Sequence, residues 1–119
     1  MTLESKHVSR SRLDEIGMGD PAFTAELIDI MLEDGQLRMA KIRAAFDQQQ
    51  MSDVGAIAHS LKGAALNIGA RDLAELCASI DDSVRKVGQA IEAQRISQLE
   101  EEFRNVAREL HEIRGALTA

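Results

Sequence analysis

His59, Lys62 and Gly63, set in the run Ala58-His59-Ser60-Leu61-Lys62-Gly63-Ala64-Ala65, are the residues of this chain whose types and spacing suit chemistry. An exposed imidazole has a pKa of about 6.5. Near neutral pH much of it is therefore uncharged and carries a nucleophilic ring nitrogen. Residues three and four apart share a helix face, so Lys62 places a cation where a phosphoryl group on that nitrogen would carry its negative charge. A phosphoryl acceptor is one reading of His59, and an ordinary solvated histidine is the other. A metal ligand fits poorly, because the positions one turn away hold Gly55, Ala56, Lys62 and Gly63, and a lysine repels a divalent ion. No glycine-rich phosphate loop precedes a helix, and the sequence arranges no acid–base pair around the histidine.

The element that must position these residues is the helix expected over Ser52–Ile68. Wound at about 100° per residue, it gathers Val54, Ile57, Ala58, Leu61, Ala64, Ala65 and Ile68 into one apolar arc roughly 120° wide. His59 points the opposite way. Glycine inside a helix costs about 0.8–1.0 kcal/mol relative to alanine, so Gly55 and Gly63 are expected to admit a closely approaching partner surface. Leu66 lies near the angle of His59, two turns along. With Ala56 and Gly63 it would form a small apolar docking patch, set against the plainer reading of an isolated exposed leucine. Asn67, Arg71, Lys41 and Arg38 are candidates for its rim.

The run around His59, followed by Asn67, Gly69-Ala70 and Leu73-Ala74-Glu75-Leu76, resembles the histidine-containing phosphotransfer (HPt) domains of multistep two-component relays. The resemblance extends weakly over nearly the whole chain, although the segment before Asp20 carries none of it. It implies that His59 accepts a phosphoryl group on Nε2 from a receiver-domain phospho-aspartate and passes it to another receiver. Lys62 would stabilise the phosphoryl charge and Gly63 would provide steric clearance, with Gly55, Ala56, Leu66 and Asn67 in the partner surface. No cofactor of its own is implied, since Mg²⁺ would come with the receiver. The expected partners are response-regulator receivers and a hybrid sensor histidine kinase. A helical adaptor with an incidental histidine is the alternative of another class. The dimerising histidine domain of a sensor kinase fits less well, because Ser60 follows the histidine and the only proline is Pro21.

Composition sets the bounds. A chain of 119 residues is one ordinary domain, taken here as 1–119. The net charge of −6 disfavours a nucleic-acid binder, which needs clustered Lys and Arg. Cys77 is the sole cysteine, so no intramolecular disulfide forms and a reducing, cytoplasmic setting fits. Its place beside Leu76 and Ile80 marks a buried thiol. No apolar stretch reaches membrane-spanning or signal-peptide length.

Three Phe, no Trp or Tyr and one proline point to an all-α fold packed by aliphatic side chains. Residues 1–8 are polar and expected to be loose, and a short helix is expected over Ser9–Ile16, capped by Ser9, with Val8, Leu13 and Ile16 as contacts. Asp20-Pro21 starts a helix that runs to about Gln48. Its stripe is Leu27, Ile28, Met31, Gly35, Met39, Ile42, Ala45 and Phe46. Gly35 then marks close packing, and Phe23, Ile30 and Leu32 are left to receive the N-terminal helix. Ser52 and Asp53 are expected to cap the histidine helix, and Gly69 to close it in left-handed geometry. The next helix carries Leu73, Leu76, Cys77, Ile80, Val84 and Val87, with Gly88 as its stop. A last one, from about Gln89 to Leu117, has Glu100-Glu101-Glu102 on its solvated face. His7 and His111 read as ordinary surface residues. The expectation is an antiparallel up-down-up-down four-helix bundle with a short extra N-terminal helix, monomeric because it buries its own seams.

Overall fold

The computed structural model describes residues 6–87 and 91–119. They form five helices: α1 (Arg10–Ile16), α2 (Pro21–Asp47), α3 (Met51–Asn67), α4 (Arg71–Val87) and α5 (Ala93–Leu117). The last four are the bundle, in which α2 packs on α3, α3 on α4, α4 on α5 and α5 back on α2. Short turns between α2, α3 and α4 force neighbours to run antiparallel. Ile28, Ile42, Val54, Ala58, Cys77, Ile80, Ile96 and Leu99 fill the centre. No helix among the described residues is long and apolar enough to cross a membrane.

Most boundaries follow local chemistry. Asp20 accepts from the N–H groups of Ala22 and Phe23 and Pro21 is the first helical residue, so α2 begins where its cap dictates. Helix α2 runs unbroken through Gly35, which lets α5 come close, since a methyl group there would lie 2.6 Å from Phe103 Cε1. Gly69 ends α3 at φ 69°, and Ser9 fills the space its missing side chain leaves, 2.5 Å from where a methyl carbon would sit. Ser9 also caps α1 through a bond from the Arg12 N–H.

Several expectations are corrected. Residues 6–8 are tied down: the backbone N–H groups of Lys6, His7 and Val8 all donate to the Glu109 carboxylate at 2.9–3.2 Å. Ser9 N–H continues the attachment to Ile68 O at 2.9 Å, and Val8 is buried. This strap crosses from α5 to the end of α3. The acidic run is not wholly solvated, because Glu102 is buried against His7 and Glu100 pairs with Arg43. Hydrogen bonding from Arg43 holds the Glu100 carboxyl below its ordinary range. Thr24 and Ala25, not Ile30, lie buried near the start of α2, where Gly17 at the end of α1 meets Thr24. Leu32 belongs to the core and Ile30 is exposed. Helix α3 is capped at Gln50 with no side-chain bond, so Ser52 and Asp53 sit within its first turn. Ala64 is exposed, which narrows the apolar arc at the C-terminal end of α3. Helix α5 starts at Ala93, and the expected stop at Gly88 lies outside the described residues.

Candidate functional site

His59 stands midway along α3 with its side chain 66% exposed. The buried edge of α3, namely Val54, Ala58, Leu61 and Ala65, locks the helix into the bundle and aims position 59 away from the core. The ring lines an open groove of about 630 Å³ between α3 and α4, with Met51, Ser52, Gly55, Ala56, Asp81, Val84 and Arg85.

The sequence reading missed the contact that organises this groove. His59 Nδ1 lies 3.0 Å from Asp81 Oδ2, and the Asp81 side chain is only 4% exposed. A carboxylate only accepts, so Nδ1 carries the hydrogen in this bond, and in the neutral ring the lone pair is left on Nε2. Asp81 is held in turn by Arg85, one turn along α4. Arg85 Nε donates to Oδ1 at 3.0 Å and a terminal nitrogen donates to Oδ2 at 3.1 Å. The bidentate fork fixes the carboxylate plane, and the carboxylate fixes the imidazole. A signal for this was present: Asp81 is four residues after Cys77 and three before Val84, on the edge of the α4 seam, with an arginine four residues on. It is also the acid–base partner that the sequence reading held to be missing.

The other expected residues divide. Lys62 is half-buried one turn from His59 and makes no ion pair among the described residues. Gly63 faces open space, with nothing within 4 Å of an added methyl group. Gly55 is buried instead, and a methyl there would lie 3.0 Å from Val84 Cγ1. The packing of α3 on α4 accounts for that glycine, so clearance for a partner is not its reason. Ala56 is exposed and borders both the His59 groove and a second one between α2 and α3 that includes Lys41. Leu66 is 54% exposed. Asn67 is drawn towards α1, its backbone oxygen accepting from Arg12 Nε at 3.0 Å and its side-chain oxygen from the same guanidinium at 3.5 Å. Arg38 reaches from α2 to Ser60, donating to its carbonyl at 2.9 Å and its hydroxyl at 2.8 Å. Arg71 is exposed at the start of α4.

Cys77 takes no part in this chemistry, since burial pushes its thiol up to about 12. His111 is exposed on α5. Among the described residues, the His and carboxylate side chains that come together in threes are His7, Asp72 and Glu102, a group without His59.

The family model of the Hpt domain matches residues 26–109, which include His59, Lys62, Gly63, Asp81 and Arg85 and leave out the strap and α1. None of the curated proteins matches the chain. The crystal structure of histidine-containing phosphotransfer protein B (HptB) from Pseudomonas aeruginosa PAO1 is similar with a TM-score of 0.84 and 25% sequence identity, over 95% of this chain and 98% of that one. With a histidine presented on a bundle helix and a family match over well more than half its length, the chain belongs to the Hpt domain family, whose field is histidine phosphotransfer in phosphorelays.

Proposed function

We propose that this protein relays a phosphoryl group between phospho-aspartate receiver domains through Nε2 of His59. The observation that carries the reading is the ring itself, bonded at Nδ1 to a buried carboxylate while the histidine side chain is otherwise largely exposed. In the forward step the Nε2 lone pair attacks phosphorus of the acyl phosphate, the P–Nε2 bond forms, and the P–O bond to the receiver's aspartate breaks, releasing its carboxylate. Attack puts positive charge on an imidazole that keeps its Nδ1–H, and Asp81 stabilises that charge as it develops. Lys62 takes the phosphoryl oxygens as a point charge. The second half of the relay is the same step run backwards onto another receiver.

Mg²⁺ belongs to the receiver in this account. The residues beside His59 do not suit a divalent ion, because Asp81 is occupied by the Arg85 fork and the residue one turn on is a lysine. Gly63, Ala56 and Leu66 supply an uncluttered, partly apolar approach for the receiver, and the exposed Ala64 adds to it. The partners are receiver domains and a hybrid sensor histidine kinase, and the protein acts as a monomer. The test is to mix it with a Mg²⁺-loaded phosphorylated receiver and follow phosphate by intact mass under conditions that spare acid-labile bonds. Label on wild type and none on His59→Gln is expected. No label with several receivers, from a protein that remains helical, would make it a non-phosphorylated adaptor.

A further inference from the structure

Asp81 serves two partners at once. Its Oδ2 accepts from His59 and from Arg85, and its Oδ1 accepts from Arg85 alone. With its side chain 4% exposed, water does little to screen its charge. A buried carboxylate 3.0 Å from an imidazole, left to itself, favours the imidazolium. An imidazolium has no lone pair on Nε2 and is no nucleophile. The bond that orients the ring therefore also threatens to disarm it.

Arg85 opposes this. Its guanidinium is permanently charged, and its fork engages both carboxylate oxygens, so much of the negative charge facing the ring is already matched. We propose that Arg85 is a positioning residue that keeps His59 neutral, allowing Asp81 to orient the ring without converting it to the imidazolium. The proposal deepens the phosphoryl-acceptor reading and rests on it. The other charged groups on this face have different attachments. Lys62 stands one turn along α3. Asp82 on α4 lies 3.5 Å from the Arg85 terminal nitrogen that also donates to Asp81 Oδ2, and Arg38 from α2 is taken up by Asp34 and Ser60. Met51, Ser52, Gly55, Ala56 and Val84, which complete the groove, carry no charge.

Two measurements on the intact protein test this. Ring nitrogen resonances of His59, followed by NMR against pH without any phosphate donor, should show the imidazolium persisting to higher pH in Arg85→Gln than in wild type. Asp81→Asn should abolish that difference, because Arg85→Gln then has no buried carboxylate to unmask. Transfer from a phosphorylated receiver should be slower near neutral pH in Arg85→Gln, by about tenfold for each unit the titration moves. It should recover towards the wild-type rate as pH rises. Arg85→Lys, which keeps the charge and loses the fork, should fall between the two. A His59 titration unmoved in Arg85→Gln, or a rate loss equal at every pH, would overturn the proposal by reducing Arg85 to a docking contact. If the titration moves as expected while wild type accepts no phosphate from any receiver, control of the ring by Arg85 stands and the relay reading fails.

Discussion

Two histidines in this protein make the same bond, and the proposed relay uses only one of them. His59 puts Nδ1 3.0 Å from Asp81, and His7 puts Nδ1 2.8 Å from Glu102, each acid being buried. The surroundings differ. His59 is 66% exposed, it lines a groove, and its carboxylate is matched by Arg85. His7 is 21% exposed and its Nε2 lies 3.8 Å from Glu109, a second carboxylate. Glu102 has Asn105 as its further partner, with no arginine among the described residues. An imidazole–carboxylate bond thus orients a ring in either place. On the proposed mechanism, reactivity needs the free edge and the balancing charge as well.

The hardest test of this contrast exchanges each histidine in turn. His59→Gln should abolish phosphate acceptance while leaving the helical content unchanged, and His7→Gln should leave acceptance intact. Label lost with His7→Gln in a folded protein would mean that the strap takes part in transfer. Lys62→Ala comes next. It removes a half-buried cation and leaves the nucleophile, so transfer from a phospho-receiver should slow on the order of tenfold, or about 1.4 kcal/mol of barrier. An unchanged rate would take Lys62 out of the site.

The strap has its own prediction, in stability. Gly69 sits at φ 69° with Ser9 packed where a methyl group would go. Gly69→Ala should therefore cost about 1–3 kcal/mol of unfolding free energy in urea titrations. Phosphate acceptance by the folded fraction should persist. A transfer defect larger than the folding defect would connect the strap to the active face.

Which parts were readable follows the same division. The bundle, the outward histidine and the left-handed Gly69 were all open to reading because each depends on local spacing: an apolar period, a ring opposite the apolar arc, a glycine at a helix end. Asp81, Arg85 and the Glu102–His7 pair join residues 22 to 95 positions apart or lie beside such a pair. Helix periodicity gives the face of each helix and not the rotation of one helix against the next. A buried acid on a seam edge looks, in sequence, like an acid just off it. Gly55 was misread for the same reason. Its neighbour is Val84 on another helix, whereas Gly63, eight residues on, does face open space.

These two glycines give the smallest expected effect, and its sign is informative. Gly63→Ala adds a methyl group where nothing lies within 4 Å, so removing a mid-helix glycine should raise stability by about 0.8–1.0 kcal/mol. Gly55→Ala gains the same helix propensity but pushes against Val84 Cγ1 and Cβ at 3.0 and 3.1 Å, so its net gain should be smaller or reversed. Receiver docking should respond in the opposite order. Side chains of increasing size at Gly63, with leucine the extreme, should raise the Kd for a receiver progressively while the fold holds or improves. Position 55 should show no such gradient beyond what its stability loss explains. A Gly63→Leu protein that binds the receiver as tightly as wild type would mean that the open face beside His59 is not where the partner sits.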